Sequence, residues 1–147
     1  MNFEKSIKEG HVKKIGVNNL RAKSLIKSSR EAIKSALSIR LEEGKLKTIF
    51  RELYEGLREF CDAIGHLKGY KFLSHEAITY FLSEILNENS IAVKFDRLRK
   101  IRNGISYYGE SVAKETVEEA LKEVPEIIKK LEKYAGGFAR KTNDRKI

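Results

Sequence analysis

A chain of 147 residues, 41% apolar and 35% charged, is one domain's worth and long enough to bury about two-thirds of the surface it exposes when unfolded. One proline and ten glycines leave little room for a many-turned all-β fold, and no stretch approaches the roughly 18 consecutive apolar residues of a membrane span. Thirty Lys and Arg against 21 Asp and Glu, a net charge of +9, suit a polyanionic partner, although solvated helix faces carry such charge equally well.

The opening MNFEKSIKEG lacks the apolar core of a signal peptide, and the lone Cys61 has no internal disulfide partner, so a cytoplasmic protein is expected. Residues 1–18 read as an N-terminal extension, with a short helix through Phe3 and Ile7 limited by Gly10 and Gly16. From Asn19 to Leu41, the residues Leu20, Leu25, Ile26, Ala32, Ile33, Ala36 and Leu37 recur with the spacing of one helix face. Asn18 or Asn19 is placed to cap its start and Gly44 to stop it. The next helix carries the strongest stripe, from Leu46 through Leu53, Leu57, Phe60, Cys61 and Ile64 to Leu67, with Gly65 and Gly69 at its end.

Ser74 is the expected cap of a third helix, with Leu73 packing on Ile78 as a hydrophobic staple, running through Phe81 and Leu82 to Leu86. The polar run at 87–90 breaks it and caps a fourth helix with the stripe Ile91, Phe95, Leu98, Ile101, Ile105 and Tyr108, closed by Gly109. A fifth starts near Ser111, buries Val117, Leu121, Val124, Ile128 and Tyr134, and ends at Gly136-Gly137. Pro125 inside it predicts a kink, because proline removes one backbone donor and clashes one turn back. Short links between five helices predict an all-α, up-and-down antiparallel bundle over residues 19–136. Residues 137–147 form a basic tail, expected to be mobile.

Basic residues are unevenly spread: eight bases and two acids in 1–30, and five against two in 90–110. The three histidines, His11, His66 and His75, are far apart, and Cys61 sits on a buried stripe, so neither a metal site nor a cofactor is expected. Phosphate loops, nucleophile elbows and HExxH helices are absent from the sequence. What remains is FDRLRKIRNGISYYGES, residues 95–111. At 100° per residue, Arg102 falls only about 55° from the centre of the apolar stripe, with Ser106 one turn on pointing the same way. Arg97 and Arg99 lie further round and Lys100 nearly opposite. A guanidinium at the edge of an apolar face needs a partner: a carboxylate, carbonyls or a ligand phosphate. The plain structural alternative is an arginine that rests its stem on the core and keeps its head in water or a salt bridge. Asp96 is set to pair with Lys100. On an unbroken helix Tyr107 lies about 165° from the apolar centre, facing away from both the core and Arg102.

The run RNGISYYG at 102–109, after GYKFLSHEAITYFL at 69–82 and before a last amphipathic helix, resembles the HEPN superfamily of small helical proteins. The segment GHVKKIGVNNLRAKSLIKSSREAIKSA at 10–36 is similar to the opening of archaeal members, and the resemblance covers about residues 10–135. It implies metal-independent RNase ancestry, with an arginine, a polar residue, three further residues and a histidine, two such motifs meeting across a homodimer. By position Arg102 matches the arginine and Asn103 the polar residue, but Tyr107 stands where the histidine belongs. A tyrosine titrating near about 10 is a poor base where a histidine near about 6.5 exchanges protons readily. Neither His66 nor His75 is assigned the missing role.

Three readings follow. The first is a HEPN-like module with little or no catalysis that binds RNA or nucleotide phosphate in a dimer cleft. There Arg102 is the anchor, Arg97, Arg99, Lys100 and Ser106 add phosphate contacts, and a minimal nucleotidyltransferase is the partner the resemblance implies. The second is a toxin-like ribonuclease that leaves a 2′,3′-cyclic phosphate, with Arg102 stabilising the oxyanion, Asn103 orienting the phosphate and Tyr107 donating a hydrogen bond. The third is a helical assembly module that binds another protein. The missing histidine favours the first.

Overall fold

The computed structural model describes residues 1–139; residues 140–147, most of the expected tail, lie outside the described residues. The chain is an all-α helical bundle with six α-helices and one small sheet among those residues. In chain order these are α1 (Phe3–Lys8), β1 (Val12–Lys14), α2 (Asn19–Ser38), α3 (Leu46–Lys68), β2 (Tyr70–Phe72), α4 (His75–Tyr80), α5 (Asn89–Tyr108) and α6 (Lys114–Leu131).

The stripe on α3 is the axis of the core: Ile49, Leu53, Tyr54, Leu57, Phe60, Cys61 and Ile64 are all buried. Of the side chains expected inside, Leu53, Phe60, Ile64, Phe81, Phe95 and Ile128 are buried, while Ile101 and Leu121 are half-buried at its edge. Helices α2 and α3 run antiparallel, because the Asn18 amide meets the His66 carbonyl and Ser29 Oγ donates to the Gly56 carbonyl at 2.6 Å. Gly56 makes this approach possible: a Cβ there would lie 2.6 Å from Ile33 Cδ1. Since α2 lies chiefly against α3, only half of its apolar stripe is covered, and Leu20 and Leu37 are exposed.

The N-terminal segment packs onto the bundle. Asn2 caps α1, Phe3 is buried edge-on to Tyr70, and β1 pairs antiparallel with β2 in the register Val12↔Phe72 and Lys14↔Tyr70. This sheet has no counterpart in the sequence reading, because three residues are too few to show a period of two. It also corrects the role of Gly65, which does not end α3 but lets the Phe72 ring lie against the helix; a Cβ there would sit 2.6 Å from that ring. The helix ends at Gly69, with φ of +87°.

The segment expected as one helix over 74–86 is divided. Ser74 precedes α4 in extended backbone but makes no side-chain cap bond. Leu73 is exposed, so no staple forms, and its amide is tied to the His11 carbonyl. After Tyr80 the chain widens into a π-helical turn over Phe81–Ile85, with the Leu86 amide on the Phe81 carbonyl at 3.1 Å. Asn87, with φ of +57°, then reverses the backbone, as asparagine tolerates. Asn18 does cap α2, accepting from the Arg21 amide at 2.9 Å. Helix α2 stops at Ser38, before Gly44, and α6 starts at Lys114, continues through Pro125 and ends at Leu131 with Tyr134 in a following 3-10 turn. Tyr108, expected on the buried stripe of α5, is exposed.

Candidate anion-binding cleft

Three helices build the site. Helix α3 supplies Tyr54 from the core outward, the first turn of α4 supplies His75, and the last three turns of α5 supply Arg99, Arg102, Asn103 and Tyr107. A cleft of about 370 Å³ opens between α4 and α5, lined by Ser74, His75 and Glu76 on one side and by those four residues on the other.

Arg102 is half-buried. Its guanidinium lies over the Tyr54 ring, 5.8 Å from the centroid, and over the Tyr107 ring at 5.5 Å, and Nη1 donates to the Tyr107 hydroxyl at 3.2 Å. Both contacts use the negative face or lone pair of an aromatic side chain and leave the net charge uncompensated. Among the described residues no carboxylate forms an ion pair with Arg102, in contrast to every neighbouring arginine, although its charge helps to hold the Glu55 carboxyl low. Arg99 donates to Asp96 at 2.7 Å, Arg58 holds Glu55 and Asp62, and Arg97 reaches Glu119 at 2.9 Å and Glu123 at 4.0 Å on α6. Lys100 pairs with Asp96 at 3.0 Å, as the four-residue spacing predicts.

The cations nominated in the sequence are therefore divided. Arg99, Arg102 and Asn103 line the cleft, and so does Tyr107; Arg97, Lys100 and Ser106 do not, and Ser106 is exposed outside it. The expectation that Tyr107 faces away from Arg102 is corrected. Residues five apart lie about 140° apart on a regular helix, but the last turn of α5 is wide, with the Gly109 and Glu110 amides both on the Gly104 carbonyl. A wider turn brings residue 107 closer to the line of residue 102, and side chains on a helix lean toward its N-terminus. Tyr107 is still 68% exposed, so the pair faces solvent across the cleft.

His75 is the residue that sequence reasoning did not place. Its Nδ1 is 3.0 Å from the Tyr54 hydroxyl, and its ring tilts against the Tyr54 ring at 5.7 Å. Burial, then repulsion from Arg58 and Arg102, push its pKa down to about 4, with Glu55 opposing, so the ring is neutral near pH 7. Burial likewise pushes the Tyr54 hydroxyl well above its ordinary range, with Arg102 opposing. Burial raises Asp96 too, but hydrogen bonds from Arg99 and Lys100 outweigh it and hold that carboxylate low. The signal for His75 was a histidine one residue after the cap of α4, but its proximity to Arg102 depends on how three helices pack, which no spacing within one helix reveals.

His66 belongs elsewhere. It is buried on α3, with Nδ1 2.9 Å from the Asp62 carbonyl, and lines a separate cavity with Arg21 and Lys71. Cys61 is buried, and burial raises its thiol far above the range of a reactive thiolate. Among the described residues no group of three or more His, Cys, Asp or Glu is arranged to hold a metal ion, and no helix is long and apolar enough to cross a membrane. No family model, curated protein or solved structure matches this chain.

Proposed function

We propose that the protein is a HEPN-like helical module that binds RNA or nucleotide phosphate in the cleft between α4 and α5, with little or no catalysis of its own. The observation that carries this reading is the uncompensated charge of Arg102, held by two aromatic rings and a hydroxyl beside Asn103 and open to solvent. A half-buried guanidinium without a carboxylate is a receptor for one, or for a phosphate. The net charge of +9 adds attraction at longer range. On this reading the protein works in the cytoplasm as a homodimer whose α5 ends approach each other, with a nucleotidyltransferase-fold protein as a partner of the kind the sequence resemblance implies.

One observation favours the ribonuclease alternative. Arg102 and Tyr107 converge within one chain, so a tyrosine hydroxyl stands beside the cation where the motif resemblance expects the histidine. Tyrosine remains a weak base, which is why binding is preferred.

The test is a titration of fluorescently labelled, mixed-sequence single-stranded RNA by fluorescence anisotropy. Binding should weaken about ten-fold or more between about 50 and 200 mM salt, as displacement of a few counterions requires. It should be lost in Arg102→Ala and retained in Arg97→Ala. Salt-independent binding, or equal loss in both variants, would contradict the reading.

A further inference from the structure

Tyr54 is buried among α3, α4 and α5, and among the described residues its hydroxyl has a single hydrogen-bond partner, Nδ1 of His75 at 3.0 Å. That geometry fixes where the protons are. A buried O–H left without an acceptor costs on the order of 1–3 kcal/mol, and burial keeps this hydroxyl protonated. The hydroxyl hydrogen therefore goes to Nδ1, which must carry a lone pair. In a neutral imidazole the remaining proton is then on Nε2. No described residue hydrogen-bonds to Nε2, and His75 lines the cleft that holds Arg102.

Resting on the phosphate-binding reading above, we infer that Tyr54 holds His75 as the tautomer with its proton on Nε2, and that this N–H is the second donor to the anion drawn in by Arg102. His75 is thus a binding residue whose role is the opposite of a general base: the nitrogen facing the ligand already carries a proton. Its neighbours keep it so. From α3 the Arg58 cation repels a second proton while Glu55 opposes; from α5 Arg102 and Arg99 repel it. Glu76 of α4 accepts from the Tyr80 hydroxyl at 3.2 Å. An uncharged donor beside a permanent cation gives anion binding that does not depend on pH across the physiological range. A phosphate diester, with two free acceptor oxygens, no donor and a charge that does not change across that range, has the chemistry that fits this pair of donors.

The test has two parts. Nitrogen-15 spectra of histidine-labelled native protein, with the His75 signals identified by their change in Tyr54→Phe, should show Nδ1 bare and Nε2 protonated at neutral pH. In Tyr54→Phe the two tautomers should mix. In the second part the labelled single-stranded RNA is the probe. His75→Ala should weaken binding about ten-fold, the worth of one hydrogen bond to a charged group. His75→Gln, whose amide N–H reaches the position of Nε2, should restore most of it, and native binding should hold constant from about pH 5.5 to 7.5. A proton on Nδ1, a charged ring at neutral pH, or native-like binding by His75→Ala would overturn the inference; if Arg102→Ala still abolishes binding, the phosphate-binding reading survives that result. Absence of RNA binding by the native protein would remove both.

Discussion

The Tyr107 hydroxyl accepts a hydrogen bond from Nη1 of Arg102, five residues earlier on the same helix, at 3.2 Å. The contact depends on the wide last turn of α5, where two successive amides share the Gly104 carbonyl. Together with the Tyr54 ring beneath it, Tyr107 holds the guanidinium in place without neutralising it. An arginine ordered in this way loses less freedom on meeting a phosphate than a free surface arginine would.

Tyr107→Phe should therefore keep the ring contact but release the hydrogen bond, loosening RNA binding by a factor of about three to ten. Tyr107→His should produce no RNA cleavage, since this position is occupied with holding Arg102 and is 68% exposed, a setting that does not build a positioned base. Cleavage gained in Tyr107→His and lost when Arg102→Ala is added would show that a catalytic site persists.

The half-buried, neutral His75 makes stability depend on pH. Its folded pKa of about 4 lies below the ordinary value of 6.5, so between those limits the unfolded chain binds a proton that the folded chain refuses. Stability from this group is complete above about pH 6.5 and falls as pH drops toward 4. Solvent reaching the ring from the cleft screens part of the effect, leaving about 1–2 kcal/mol. Burial raises the Asp62 and Glu59 carboxyls, and their contribution runs the other way. The comparison of urea unfolding in native protein and His75→Gln isolates the histidine: the native protein should lose more stability on acidification. Parallel losses would mean that His75 is not held neutral.

Gly65→Ala should destabilise the fold by about 1–3 kcal/mol, because the new methyl would lie 2.6 Å from the Phe72 ring and 3.2 Å from the Tyr70 carbonyl. The loss should appear first as faster hydrogen exchange at the Ile15 and Leu73 amides, which bond across the small sheet to Gly69 and His11. Unchanged stability and exchange would mean that the small sheet is not docked on α3.

Light scattering at tens of micromolar should report a homodimer, consistent with the exposed Tyr107 and Tyr108 at the end of α5. Tyr108→Glu should shift it toward monomer. A monomeric native protein would remove the dimer cleft and leave only the cleft within one chain.

The long stripes were legible because each of their residues reports the same helical period, and on α3 the stripe covers about six turns. The position of Arg102 was legible for the same reason. Four features were not. The pairing of Val12 with Phe72 joins segments 60 residues apart, and pairing of that kind leaves no local pattern. Gly65 reads as a stop by its helix propensity, yet close packing of Phe72 is what the position serves. Tyr107 was misplaced by carrying a regular 100° step into a terminal turn that is not regular. His75 joined the site only through tertiary packing, by way of the Tyr54 hydroxyl.

The central claim, that an uncompensated Arg102 makes this cleft an anion site and not a nuclease, is tested by incubating labelled single-stranded RNA with native protein and with Arg102→Ala, reading anisotropy and RNA length on the same samples. The expected result is salt-sensitive binding by the native protein, at least about ten-fold weaker in Arg102→Ala, with the RNA intact in both. Equal binding by the two proteins would contradict the anion site, and cleavage to a 2′,3′-cyclic phosphate by the native protein alone would show that the cleft is an enzyme.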